Sequence, residues 1–119
     1  MAVVFSTSGR VRALAGIALG VAAASCGAST AVLPDARDAH WAEERWPGTT
    51  VADLQHGRSV FVTRCSSCHG LPDPSGSTAA EWGPLVDKMA DRAHLTPEER
   101  NDVVHYLSAV SARPAATGT

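Results

Sequence analysis

Aromatic side chains are few in this chain: two Phe, one Tyr and three Trp among 119 residues. They cannot by themselves fill the centre of a domain. Cysteine is equally sparse at three residues, Cys26, Cys65 and Cys68. With no second Cys pair beside Cys65 and Cys68, a structural zinc site built from paired knuckles is excluded. Basic residues are not in excess: the formal charge is −2. Counted from Gly27 onward, twelve acidic residues face eight basic ones, so the charge pattern of a nucleic-acid-binding protein is missing. No apolar run approaches the roughly 20 residues that a membrane-spanning helix needs. The periodic part of the chain, Thr50 to Pro114, is short. A core of that size is marginal on apolar burial alone and usually leans on a metal, a disulfide or a large cofactor.

The amino-terminal residues 1–26 read as an export signal. Arg10 and Arg12 form a short basic region, and apolar and small residues lead from there to Ala24. Ala23-Ala24-Ser25-Cys26-Gly27 resembles the cleavage box of bacterial lipoproteins, departing from it at Ala23, where Leu or Val is usual. Cys26 is therefore the expected lipid attachment site, with plain cleavage after Ala24 or Ala28 as the alternative. Residues 27–49 mix Ser, Thr, Pro, Asp and Arg around Trp41 and Trp46 and are expected to be a flexible arm or tether. Residues 115–119 are expected to fray.

Three helices are predicted from Thr50 onward. The first starts at Thr50 with Asp53 in its first turn and carries an inward stripe of Leu54, Gly57 and Val60 or Phe61. A glycine inside a helix costs up to about 1 kcal/mol relative to Ala, so Gly57 predicts a second backbone passing close by. Residues 70–77, Gly-Leu-Pro-Asp-Pro-Ser-Gly-Ser, form a loop. The second helix opens on the capping box Thr78-Ala79-Ala80-Glu81, with Pro84 predicting either a kink or a fresh start. Both options leave Trp82, Leu85, Val86 and Met89 on one inward face. The third helix is capped by Thr96, with Pro97 first and Glu99 completing the box, and buries Val103, Leu107 and Val110 beside Tyr106.

Between the first helix and the loop lies Cys65-Ser66-Ser67-Cys68-His69. Cys-x-x-Cys-His is the attachment sequence of haem c. Two thiols add across the haem vinyl groups, and the adjoining histidine offers a ring nitrogen to the iron. A thioredoxin-like dithiol would need a strand before Cys65, and none is predicted. For the opposite face of the iron Met89 leads, a thioether being a standard partner for histidine, with His94 as rival and His56 and His105 behind it. A five-coordinate iron stays open at this point.

The pattern resembles class I cytochrome c, and within it a compact bacterial mono-haem subgroup. The likeness rests on Gly57 and Phe61 before the motif, Cys65, Cys68 and His69 within it, and Tyr106-Leu107 in the last helix. It extends to Pro72-Asp73-Pro74, to Trp82 through Met89 and to Leu95-Thr96-Pro97-Glu98-Glu99. About half of the 119 residues take part. The resemblance implies an all-α cytochrome c-like fold over residues 50–114 around one covalent haem c. It implies that Gly57 and Phe61 pack against Tyr106 and Leu107, and that a carbonyl of a loop to which Pro72 or Pro74 contributes orients the His69 ring; the apolar residues Trp82, Leu85 and Phe61 are themselves the expected neighbours of the haem. The implied function is single-electron transfer between redox protein partners, outside the cytoplasm, in the periplasm or on a lipid-tethered membrane face. A haem-based sensor or small peroxidase with a labile sixth ligand is the alternative. A subunit docked permanently through Trp41 and Trp46 is a third.

Overall fold

The computed structural model describes residues 31–115. The export signal, Cys26 and most of the 115–119 tail lie outside the described residues. Within them the chain is all helical: α1 (Ala36–Glu43), α2 (Val51–Val60), α3 (Ala79–Ala90) and α4 (Pro97–Ser111), with a π-helical turn at Phe61–Cys65 and a 3-10 turn at Pro74–Gly76.

The predicted starts follow from local polar chemistry. Asp53 and Glu99 receive the backbone N–H groups of Thr50 and Thr96 at 2.8 and 3.0 Å, and the threonine hydroxyls receive the N3 amides at 3.3 and 3.1 Å. Glu81 accepts the Thr78 N–H and hydroxyl at 2.7 and 2.9 Å. These bonds occupy amide groups that a helix start otherwise leaves without partners. The Thr50 hydroxyl, with its N–H, holds the Asp53 carboxyl below its usual range. Pro84 neither kinks α3 into two pieces nor restarts it; the helix is continuous over Ala79–Ala90. Its missing N–H falls opposite Ala80, and both residues sit on the exposed face, where water replaces the lost bond.

α2 and α4 pack closely enough that a Cβ on Gly57 would lie 2.0 Å from the Asp102 carbonyl oxygen and 3.0 Å from Tyr106 Cβ. This is the crossing that Gly57 predicts. The contact with Tyr106 is the expected one; that with the Asp102 backbone was not read from the sequence. One residue turn further, the Phe61 and Tyr106 rings meet at 5.9 Å between centroids. Val60, Phe61, Trp82, Val86, Val103, Tyr106 and Leu107 belong to one buried cluster, while Leu54 and Ala109 join Ala42 of α1 in a second. Burial pushes the Tyr106 phenol up to about 12, so its hydroxyl stays protonated and donates to the Val32 carbonyl at 2.8 Å.

The flexible arm expected over residues 27–49 is corrected over its described part. Residues 36–43 are helical, capped by Asp35 and Asp38, and α1 lies on the rest of the domain. Asp38 is 2% exposed, and its two carboxylate oxygens receive Nε and a terminal nitrogen of Arg113, the former at 2.9 Å. Arg113 also donates to the Leu33 carbonyl at 2.8 Å. Trp46 stacks on His105 of α4 at 4.0 Å, and Arg45 covers the Trp41 ring at 3.7 Å. Burial lowers the pKa of His105, favouring the neutral ring in that stack. The two tryptophans thus pad α1 against its own domain. Asp38→Ala is expected to cost about 2–3 kcal/mol in urea unfolding, because it strands a half-buried guanidinium and removes a cap. A loss no larger than that of an exposed Glu43→Ala would mean that the clasp contributes little.

Candidate functional site

The end of α2 widens into the π turn at Phe61–Cys65, the kind of local irregularity that recurs at functional sites. Hydroxyls take up the carbonyls loosened there: Thr63 donates to Ser59 at 2.9 Å, Ser66 to Val62 at 2.6 Å and Ser67 to Arg64 at 2.9 Å. They fix the turn that presents Cys65, Cys68 and His69. Both thiols are free; Cys65 is half-buried and Cys68 exposed. Burial, then the neighbouring Cys68, pushes the Cys65 thiol up. A dithiol built for exchange has its attacking thiol lowered instead, and among the described residues no strand precedes it.

His69 Nδ1 lies 2.7 Å from the Gly70 carbonyl oxygen. A carbonyl only accepts, so Nδ1 carries the hydrogen and Nε2 keeps its lone pair for a metal. The expected loop carbonyl is therefore that of Gly70. Of the two prolines in view, Pro74 gives its carbonyl to the Trp82 indole N–H at 3.1 Å, which pins the loop to α3.

Three adjoining hollows share His69 and Met89 in their walls. One of 190 Å³ opens between Arg64, Cys65, Cys68 and Arg92. Another of 300 Å³ opens between Pro72, Asp73, Trp82 and Leu85. An inner one, lined by Phe61, Cys65, Trp82, Val86 and Leu107, is pinched to 20 Å³ and has an entirely apolar wall. The α3 face predicted from Trp82, Leu85, Val86 and Met89 thus forms the wall opposite the cysteine turn. Gly57 and Tyr106 line none of these hollows; they set the helix crossing beneath them.

The rivals of Met89 lie elsewhere. His94 is exposed, in a left-handed conformation at φ 52°, and lines none of the three hollows. His56 pairs with Asp102 at 2.7 Å, and His105 is taken by Trp46. Among the described residues no three His, Cys, Asp or Glu side chains gather closely enough to hold a bare ion. Arg64 stands, with Cys65, at the end of the stripe predicted for the first helix, whereas Arg92 on the rim is not signalled by the sequence, because a solitary arginine carries no periodic signal. No family model matches the chain, and no curated protein or solved structure does either.

Proposed function

We propose that this chain carries one covalent haem c and passes single electrons, as a small cytochrome c domain. The observation that carries the reading is the joint placement of two free thiols, a histidine with Nε2 available, and Met89 around one cleft. The donor set fits the group: Cys65 and Cys68 for the vinyl carbons, His69 and Met89 for the two faces of the iron. The two open hollows, 190 and 300 Å³, together fall within the range of small-molecule sites, about 300–1,000 Å³. The narrow inner hollow, lined by Phe61, Trp82, Val86 and Leu107, would supply the apolar wall against the group. When bound, the haem supplies an iron that alternates between Fe(II) and Fe(III).

The protein's own part is positional. The Gly70 carbonyl orients His69. Phe61, Trp82, Val86 and Leu107 keep water from the inner edge, which favours the less charged reduced state. Exposed Cys68 marks the edge at which another redox protein makes contact. No bond in a substrate is made or broken, so the reading is a carrier or relay subunit rather than an enzyme. Export and lipid tethering at Cys26 complete it.

The test is an optical spectrum, oxidised and reduced, of protein from a host able to attach haem c. A sharp reduced α band, with the weak long-wavelength methionine–iron band in the oxidised form, is expected for the wild type. Met89→Ala should lose the weak band and bind carbon monoxide. A wild-type spectrum that is already high-spin would favour the sensor or peroxidase alternative, and no covalent haem at all would overturn the proposal.

A further inference from the structure

Among the described residues only two large apolar side chains are exposed, and they are consecutive: Val32 at 40% and Leu33 at 67%. Single exposed apolar residues are ordinary on a soluble surface. These two are held in place by three hydrogen bonds to successive carbonyls. Arg58 donates to Ala31 at 2.7 Å, Tyr106 to Val32 at 2.8 Å and Arg113 to Leu33 at 2.8 Å. Pro34, which follows, is buried. The strap is thus fastened to α2 and α4 through its backbone while its side chains face outward.

The surroundings are basic on an otherwise acidic body. Arg58 and Arg113 converge on the strap, and Arg37, with its side chain 91% exposed, stands beside it. Of the carboxylates on this face, Asp38 is buried against Arg113, and Asp35 pairs with Arg37 at 3.4 Å and lies 4.0 Å from Arg113, leaving three arginines against two acids. The sequence just upstream holds the apolar run and Cys26, five residues before Ala31. At no more than about 3.6 Å per residue, a lipid on Cys26 holds the strap within about 25 Å of the bilayer.

We infer that Val32, Leu33 and Arg37 form a membrane-contact face for an anionic lipid surface. Apolar side chains enter the headgroup boundary while arginines meet lipid phosphates, the pairing that interfacial segments use. The inference rests on the tethered reading of Cys26 but not on the haem. The Leu33 end of the strap and the cleft rim meet opposite ends of α4. Arg113 follows the C-terminal end of α4, whereas Arg64 of the cleft rim pairs with Glu99 at its N-terminal end. At 1.5 Å rise per residue those ends are about 20 Å apart. Arg92 on the cleft rim therefore serves as the distant reference for a contact at Leu33.

The experiment places the full-length protein, and its Val32→Ser/Leu33→Ser variant, on phosphatidylcholine vesicles containing phosphatidylglycerol. Arginines are labelled with a dicarbonyl reagent and read by mass spectrometry. Arg37 labelling is expected to be severalfold lower in the wild type than in the variant, with Arg92 on the cleft rim equally labelled in both. Equal labelling of Arg37 in the two proteins overturns the contact face, as does protection of Arg92 instead. Protection of Arg37 without vesicles that grows with protein concentration assigns the patch to a second copy and likewise overturns it. A wild type that fails to float with vesicles overturns both the face and the tether, and leaves the haem spectrum as a separate result.

Discussion

Gly57→Ala is expected to lower the unfolding free energy by about 3 kcal/mol or more, at the upper end of what overpacking costs. The added methyl carbon would sit 2.0 Å from the Asp102 carbonyl oxygen and 2.6 Å from its carbon. Neither is the tip of a flexible side chain. α2 and α4 would have to separate, and the contact between Phe61 and Tyr106 opens with them. Urea denaturation with Gly83→Ala as comparison checks this. A Cβ on Gly83 meets nothing within 4 Å, so that variant is expected to gain up to about 1 kcal/mol from helix propensity. Similar behaviour of the two variants would show that the crossing tolerates a side chain.

The second large effect concerns attachment. On the proposed haem c reading, Cys65→Ala/Cys68→Ala should lose the covalent haem completely from the denatured protein's mass, because no other described cysteine remains to form a thioether. Each single variant should keep one linkage at reduced yield. Haem still covalently held in the double variant would refute the assignment of these thiols. The helices themselves are expected to survive the change, since Cys68 is exposed and Cys65 only half-buried.

Much of the fold was legible because its signals are local. Thr50 with Asp53 and Thr96 with Glu99 lie three residues apart, and the geometry of a helix start makes each pair bond to the other's amide. The α3 wall was legible because Trp82, Leu85, Val86 and Met89 recur at helical spacing. Gly57 was legible because glycine inside a helix needs a reason, and the Asp102 backbone supplies it.

The remainder depends on contacts that spacing does not encode. α1 was read as an arm because its eight residues show no strong apolar period. What docks it is a carboxylate meeting an arginine 75 residues away, with Ala42, Trp41 and Trp46 packing on Leu54 and Ala109. The acidic cap of Asp35 and Asp38 stands where the more familiar box has Ser or Thr with Glu, so it does not carry that pattern. The π turn escaped notice because it is held by hydroxyls of Thr63, Ser66 and Ser67 that read equally well as solvent-exposed polar residues. Gly70 as the partner of His69 depends on one loop dihedral.

The clasp between Asp38 and Arg113 bears on the order in which the chain is assembled. It ties a residue made early to one made late, and the intervening loop has to close before the bond yields anything. A polypeptide threaded amino-end first through a narrow pore delivers residues 31–49 well before residue 113. Until Arg113 arrives, Asp38 has no counter-charge to enter the interior with, so burying it early is costly. On the exported reading proposed above, the latch keeps the first helix off the others during passage, and locking falls after transit, when the whole domain is on one side.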